Sequence, residues 1–363
     1  VDTSTGLVST TGNTNSLTVA SATILRDETV LETIGTGGNV KINEDISVGT
    51  TSAFGDKALT LHTESGAVGA GAIKTNQLTL LGSGQQVLTG SNLVNKLAAD
   101  VDGNISLRNL KTLEIGETVV KGWMETVPDA TKTTTTTGVV SADNNVVIQV
   151  TGGDINQTRR LNANTAQVML KATRASSTGG AIKQSGTDVN GVITAGSVQL
   201  DANNGVELAK TNQISANGTT AGGLAANVTS GDLVLKNNRG LNLINSTVAV
   251  PAASATATVS STDSSISGVT ASATNAITRI DIVGGDLTQA AGANLVSNNL
   301  GVTLNGQVAL TNAGNQVRTL AVSNTGAAKM VDVHSSLDLT VGSVTASSGL
   351  TTPVVGITGT GGA

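Results

Sequence analysis

Three stretches of this chain repeat one idiom in one order. Gly84-Gln-Gln-Val-Leu-Thr-Gly-Ser-Asn is followed by Leu97-Ala-Ala-Asp-Val, Ile105-Ser-Leu and Leu113-Glu-Ile. Gly205-Val-Glu-Leu-Ala-Lys-Thr-Asn-Gln is followed by Leu224-Ala-Ala-Asn-Val, Leu233-Val-Leu and Leu241-Asn-Leu. Gly306-Gln-Val-Ala-Leu-Thr-Asn-Ala-Gly-Asn-Gln is followed by Leu320-Ala-Val-Ser and Leu337-Asp-Leu-Thr-Val-Gly. Internal repetition constrains the fold more than any single motif does, because repeated units bury one another's apolar faces. The intervals between Leu97, Leu224 and Leu320 are unequal, so the refrain marks a regular body with insertions and not a strict tandem array.

The repeated words are strand words. Leu17-Thr-Val, Val40-Lys-Ile, Leu59-Thr-Leu, Leu78-Thr-Leu, Val146-Val-Ile-Gln-Val, Val198-Gln-Leu and Val302-Thr-Leu alternate apolar with polar residues, the period-two mark of a half-buried strand. Gly82-Ser-Gly, Asn203-Asn-Gly, Gly284-Gly and Asn305-Gly punctuate them as turns. Even the segment from Ala22, crowded with Val and Thr, reads as strand. Strand starts at Leu78, Val87, Leu97, Ile105 and Leu113 leave no room for helices between.

Aromatic residues are 1% of the chain, Trp123 and Phe54, against 38% hydrophobic residues overall, so Val, Leu, Ile and Ala must build the core. That suits many thin identical layers better than one thick core. The expectation is an all-β fold, a right-handed parallel β-helix (β-solenoid) with short extruded loops. Coils of about 20 residues would stack about 4.8 Å apart. Aliphatic columns would run inside, with Asn or Thr ladders at the corners. Two segments break the rhythm, residues 121–137 and residues 251–276. Neither has the composition of a linker, so 1–363 is read as one continuous domain with two loop excursions.

Charge is sparse: Asp, Glu, Lys and Arg are 12% of the chain and the net charge is −5. With only three prolines and abundant β-branched residues, the composition is that of an ordered chain. Lys and Arg are spread evenly, with Arg159-Arg160 the one adjacent pair, so no nucleic-acid footprint is present. The absence of cysteine excludes disulfides and thiolate metal sites. No run of about 18 apolar residues predicts a transmembrane segment. Val1-Asp-Thr-Ser carries no signal-peptide pattern, and a mature or excised segment is expected.

The run from Ile193 to Leu235, Ile-x-Ala-Gly-Ser-Val-x-Leu, Asn-Gly-Val-x-Leu, Thr-Asn-x-Ile, Gly-Leu-Ala-Ala-Asn-Val, Gly-Asp-Leu-Val-Leu, resembles filamentous-haemagglutinin-like bacterial exoproteins. Thr311-Asn-Ala-Gly-Asn-Gln-Val repeats the idiom, and the likeness covers roughly residues 55 to 350. The resemblance implies two-partner secretion or an autotransporter passenger, a β-helical shaft and an outer-membrane export partner. The family's Asn-Pro-Asn type secretion motif is absent from this sequence.

Chemistry-bearing residues are thin on the ground. Acid–base hydrolysis of a sugar needs two carboxyls roughly 5 to 9 Å apart, and adjacent acids occur only at Asp27-Glu28 and Glu44-Asp45. Asp100 and Asp102, two apart on one strand face, support a rival reading as a glycan-active β-helix enzyme, a polysaccharide lyase or tailspike-like depolymerase. The plainer reading is two solvated turn acids. Asp281 and Asp286, flanking Gly284-Gly, also read as turn residues, although Ile280-Asp-Ile-Val carries the strand alternation. His62 and His334 are the only histidines and read as surface residues. No catalytic residue, cofactor or metal site is expected. Sequons stand at Asn104, Asn156, Asn217, Asn227 and Asn245. Trp123, Lys132, Thr133 and Thr134, on the first excursion, are the candidate contact residues. Trp123 either packs its loop down or stacks on a sugar or partner.

The sequence thus predicts a non-enzymatic, secreted, extracellular or cell-surface bacterial protein, a shaft or filament with adhesin or biofilm character. It would bind host or bacterial surface glycans, proteins or other copies of itself, head to tail. A third architecture, an array of β-sandwich modules, would have the same strand content.

Overall fold

The computed structural model describes residues 7–11, 16–25, 28–34, 37–50, 53–55, 57–121, 133–174, 179–186, 190–252, 260–327 and 329–359. Among these every regular element is a β-strand. Two compact units are present, Val1–Ala163 with Ala249–Thr262, and Asn164–Val248 with Asp263–Ala363.

In the first unit, strands Ala58–Thr63, Ile73–Ser83 and Gln85–Asp102 run parallel. Leu59 pairs with Leu78 and Leu78 with Leu97, while Leu61 pairs with Leu80 and Leu80 with Ala99. Each step advances the chain 19 residues, so like residues fall above like, and all six side chains are buried. In the second unit Leu208, Leu235, Ile280, Val302 and Val322 form one such column across successive parallel strands. All five are fully buried. Each buried aliphatic side chain contributes about 1.5–3 kcal/mol, which is how a core almost without aromatic rings holds together.

The main sheet is a closed eight-strand parallel β-barrel in its pairings, with extra strands outside it, and this corrects the expected right-handed parallel β-helix. The physical reason lies at the corners. The separate strand starts expected at Val87 and Leu97 belong to one 18-residue strand, Gln85–Asp102. That strand pairs at different points with Gly66–Gly69, Ile73–Ser83, Ile105–Asn109, Leu113–Ile115 and Val139–Ser141. Ser197–Ile214 is likewise 18 residues long and runs through Asn203-Asn-Gly, where a turn was expected. Strands that continue through the bends join ladders that a solenoid keeps on separate faces, and pairings joined in this way can close.

The refrain has a specific job at the bends. Its asparagines, Asn92, Asn212 and Asn315, are fully buried. Each Oδ1 accepts the backbone N–H of a residue one layer back, from Ile73, Ile193 and Leu295, at 2.8 Å in all three cases. Each Nδ2 donates to the carbonyl of the leucine that opens its own bend: Leu88 at 3.1 Å, Leu208 at 3.1 Å and Leu310 at 2.9 Å. Asn109 and Asn237, register partners of Asn92 and Asn212, take the N–H of Val94 and Ile214 in the same way. A bend breaks the backbone ladder, and buried N–H groups must find partners. The amide, both donor and acceptor, supplies them.

Glycine is required where layers approach most closely. Gly66 has φ +110°, and a Cβ there would lie 2.3 Å from the Gln85 carbonyl oxygen. Gly82 has φ +98°, and a Cβ would lie 2.2 Å from the Thr63 carbonyl oxygen.

Candidate functional site

Three β-hairpins stand apart from the main sheet, two of them in the expected excursions. The first pairs Glu117–Lys121 with Thr133–Thr137, antiparallel, so the insertion begins four residues before 121 and has ordered flanks. Its inner side is seated on the first unit. Thr118 and Thr79 share a hydroxyl–hydroxyl bond of 2.7 Å, and Val120 packs with Val30 and Leu81. Thr133 and Thr134 are exposed and pair with Lys121 and Val120. Trp123 and Lys132 lie outside the described residues. The predicted contact residues thus divide: two threonines on an open strand face, two beyond description.

The second excursion begins as strand Asn245–Ala252 and returns as Ser260–Ser267. Its base is tied down by polar groups. Ser246 Oγ donates to Gln199 Oε1 at 2.7 Å, and Gln199 Nε2 donates to the Ser264 carbonyl at 3.0 Å.

Sequence reasoning missed the third hairpin, Ser343–Val344 with Val354–Val355. Val344 and Val354 pack on Ala321 and Ile277, and Asp232 Oδ2 accepts from the backbone N–H and hydroxyl of Ser347 at 3.0 and 2.6 Å. A signal existed in the short apolar pairs Val344 and Val354-Val355, separated by a Ser/Gly/Thr turn.

Beside this hairpin lies a buried ion pair. Asp281, read as a turn residue, belongs to strand Ile277–Ile282. Arg279 and Asp281 are two apart, hence on one face, and their charged groups form an ion pair without hydrogen-bond geometry. Arg279 is 3% exposed, and its Nη2 donates to Thr303 Oγ1 at 3.0 Å. Burial pushes the Asp281 carboxyl above its ordinary range, opposed in part by Arg279, the Thr303 hydroxyl and Lys236. Burial likewise pulls the Arg279 guanidinium down, with Asp281 acting the other way. The pattern Arg-x-Asp on a strand was the signal available.

The remaining candidates are dispersed. Asp100 and Asp102 are both exposed on strand Gln85–Asp102, on either side of buried Val101. His62 is half-buried, its Nδ1 2.6 Å from Glu32 Oε1, whereas the sequence placed it in solvent. His334 is exposed. Among the described residues no three His, Asp or Glu side chains gather where they could hold a metal ion. No helix of the described residues is long and apolar enough to cross a membrane.

Large apolar side chains are exposed mainly in one region. Of nine among the described residues, Met330, Leu339, Val341, Val355 and Ile357 fall within residues 330–357. Strands Val331–Val333, Thr340–Val341 and Ile357–Gly359 each pair with an earlier strand, and no second neighbour is found among the described residues. Here exposed apolar side chains adjoin strands that are paired on one side only among the described residues.

No protein-family model matches this chain, and neither a curated protein nor a solved structure is significantly similar to it.

Proposed function

We propose that this chain is a non-enzymatic structural protein of a bacterial surface, secreted and extracellular, that adheres through self-association and through weak polar contacts with glycans or cell-surface proteins. The observation that carries this reading is the edge at residues 330–357. An unpaired strand edge is a template for another strand, and Val341 at 53% and Ile357 at 47% exposure place apolar surface beside it. Strand addition uses that combination: backbone bonds for affinity, side chains for register. The exposed Thr133 and Thr134 offer hydroxyls for contacts of the second kind. The haemagglutinin-like idiom supports the placement at a bacterial surface, with an outer-membrane export partner.

The test is sedimentation velocity across a concentration series. The wild-type chain is expected to associate, and Val341→Lys with Ile357→Lys to remain monomeric with an unchanged melting temperature. A wild-type chain that stays monomeric at every concentration overturns the self-association. Cleavage of a polysaccharide panel, lost on replacing Asp100 and Asp102, would overturn the non-enzymatic assignment.

A further inference from the structure

The five sequons are alike in sequence and unlike in surroundings. N-linked modification needs an amide nitrogen and a hydroxyl two residues on, both open to an enzyme. At Asn104 the hydroxyl partner, Ser106, is buried. Asn156 is half-buried within strand Ile155–Gln157. Asn227 is half-buried in strand Gly222–Asn237, and its Nδ2 donates to Asp201 at 3.0 Å. Asn245 is exposed, but its Oδ1 accepts from Ser267 at 2.6 Å and its Nδ2 donates to the Ala291 carbonyl.

Asn217 alone combines exposure of both sequon positions with an amide nitrogen that has no acceptor among the described residues. It lies in the bend between strands Ser197–Ile214 and Gly222–Asn237, where residues 216–220 are all exposed. Its Oδ1 accepts four bonds, from the N–H groups of Thr219 and Thr220 at 3.2 and 3.0 Å and from both their hydroxyls at 2.9 Å. Four donors on one atom fix the amide with its oxygen turned into the bend. Nδ2 therefore points away, and among the described residues it has no acceptor. Gly218, between the two sequon residues, has φ +76° with nothing within 4 Å of where a Cβ would stand. The Ser215 hydroxyl closes the bend on the Thr220 carbonyl at 2.7 Å.

We infer that Asn217 is a site of N-linked glycosylation on the folded chain. The acceptor is Nδ2, and the donor is a sugar activated as a phosphate or diphosphate ester, presented by a sequon-directed glycosyltransferase. Nδ2 attacks the anomeric carbon, and a carbon–nitrogen bond forms as the carbon–oxygen bond to phosphate breaks. The phosphate leaves with the electron pair, and the Nδ2 proton passes to a base of the transferase. The Thr219 hydroxyl, already on the Asn217 carbonyl oxygen, orients the amide. This assignment does not depend on self-association.

The experiment treats the folded full chain with a sequon-directed N-glycosyltransferase and a nucleoside-diphosphate hexose, and maps hexose by peptide mass spectrometry. Synthetic peptides carrying each of the five sequons serve as controls of enzyme competence. Asn217 is expected to be modified at least tenfold faster than the other four sites in the folded chain, with the five peptides far closer together. Thr219→Val should abolish modification without moving the melting temperature, and Thr219→Ser should retain it. An unmodified Asn217 where its peptide reacts, another site reacting faster, or indifference to Thr219→Val would each overturn the assignment.

Discussion

At the scale of single residues, the asparagines at the bends matter more than their polarity suggests. Truncating Asn212 or Asn315 to Ala orphans a buried N–H, from Ile193 or Leu295, and the carbonyl of Leu208 or Leu310. Each is expected to cost about 2–3 kcal/mol in urea denaturation, whereas Asn204→Ala, at an exposed position, should stay within about 0.5 kcal/mol. The Arg279–Asp281 pair behaves differently. Arg279→Leu leaves a partly buried carboxylate without its cation and should cost up to about 3 kcal/mol at neutral pH, while Leu at both positions should recover most of that loss. The pH dependence has a definite sign. Folding raises the Asp281 pKa above its unfolded value of 3.8, so its contribution is full below that value and is lost as pH rises through the folded one. Wild-type stability measured from pH 3 upward should show this decline, and the double-leucine variant should lack it. The refrain asparagines were legible as bend residues from their recurrence. Asp281 stood in the strand signal Ile280-Asp-Ile-Val, but nearby Gly284-Gly drew its reading toward a turn, and its burial beside Arg279 depends on the neighbouring strands.

At the scale of elements, the hairpins and the close layer contacts obey different physics. The first hairpin is held by a small apolar contact, one hydroxyl pair, the Val119 N–H on Gln77 Oε1 and the Glu117–Arg159 ion pair, and Val120→Ala, which removes packing on Val30 and Leu81, should cost about 1–3 kcal/mol. Hydrogen exchange should then show loss of protection within 117–121 and 133–137 before the parallel strands beneath. Gly82 is less forgiving. Ala there meets both a positive φ and the Thr63 carbonyl, and a loss of about 3 kcal/mol in thermal or urea melts is expected. Strand positions were readable from period-two alternation because one side faces a core. The ends of the long strands were not. A glycine or Asn-Gly signals a turn in an isolated chain, but neighbours above and below can carry an extended backbone through it, as at Asn203-Asn-Gly.

At the scale of the whole molecule, parallel pairing makes the two kinds of free edge unlike. Strands Leu17–Val19 and Thr23–Leu25 pair on one side only among the described residues, as do Val331–Val333 and Thr340–Val341. An association that joins the late edge of one copy to the early edge of another is heterologous, and such contacts grow openly unless rotation closes them. Mean mass should therefore rise continuously with concentration and show no plateau at a dimer.

The sequence alone determined the strand content, the residues that stack in columns and the asparagines that recur at bends. Each follows from local physics: alternation, β-branching and the need to satisfy a bent backbone. Only the tertiary structure decided that strands continue through the bends and that the pairings close as a barrel. Only it seated the hairpins on the sheet and set Asn217 and Thr219 together in an exposed bend. Those outcomes depend on which distant segments supply hydrogen bonds and cover each face, information spread over residues 19 and more apart.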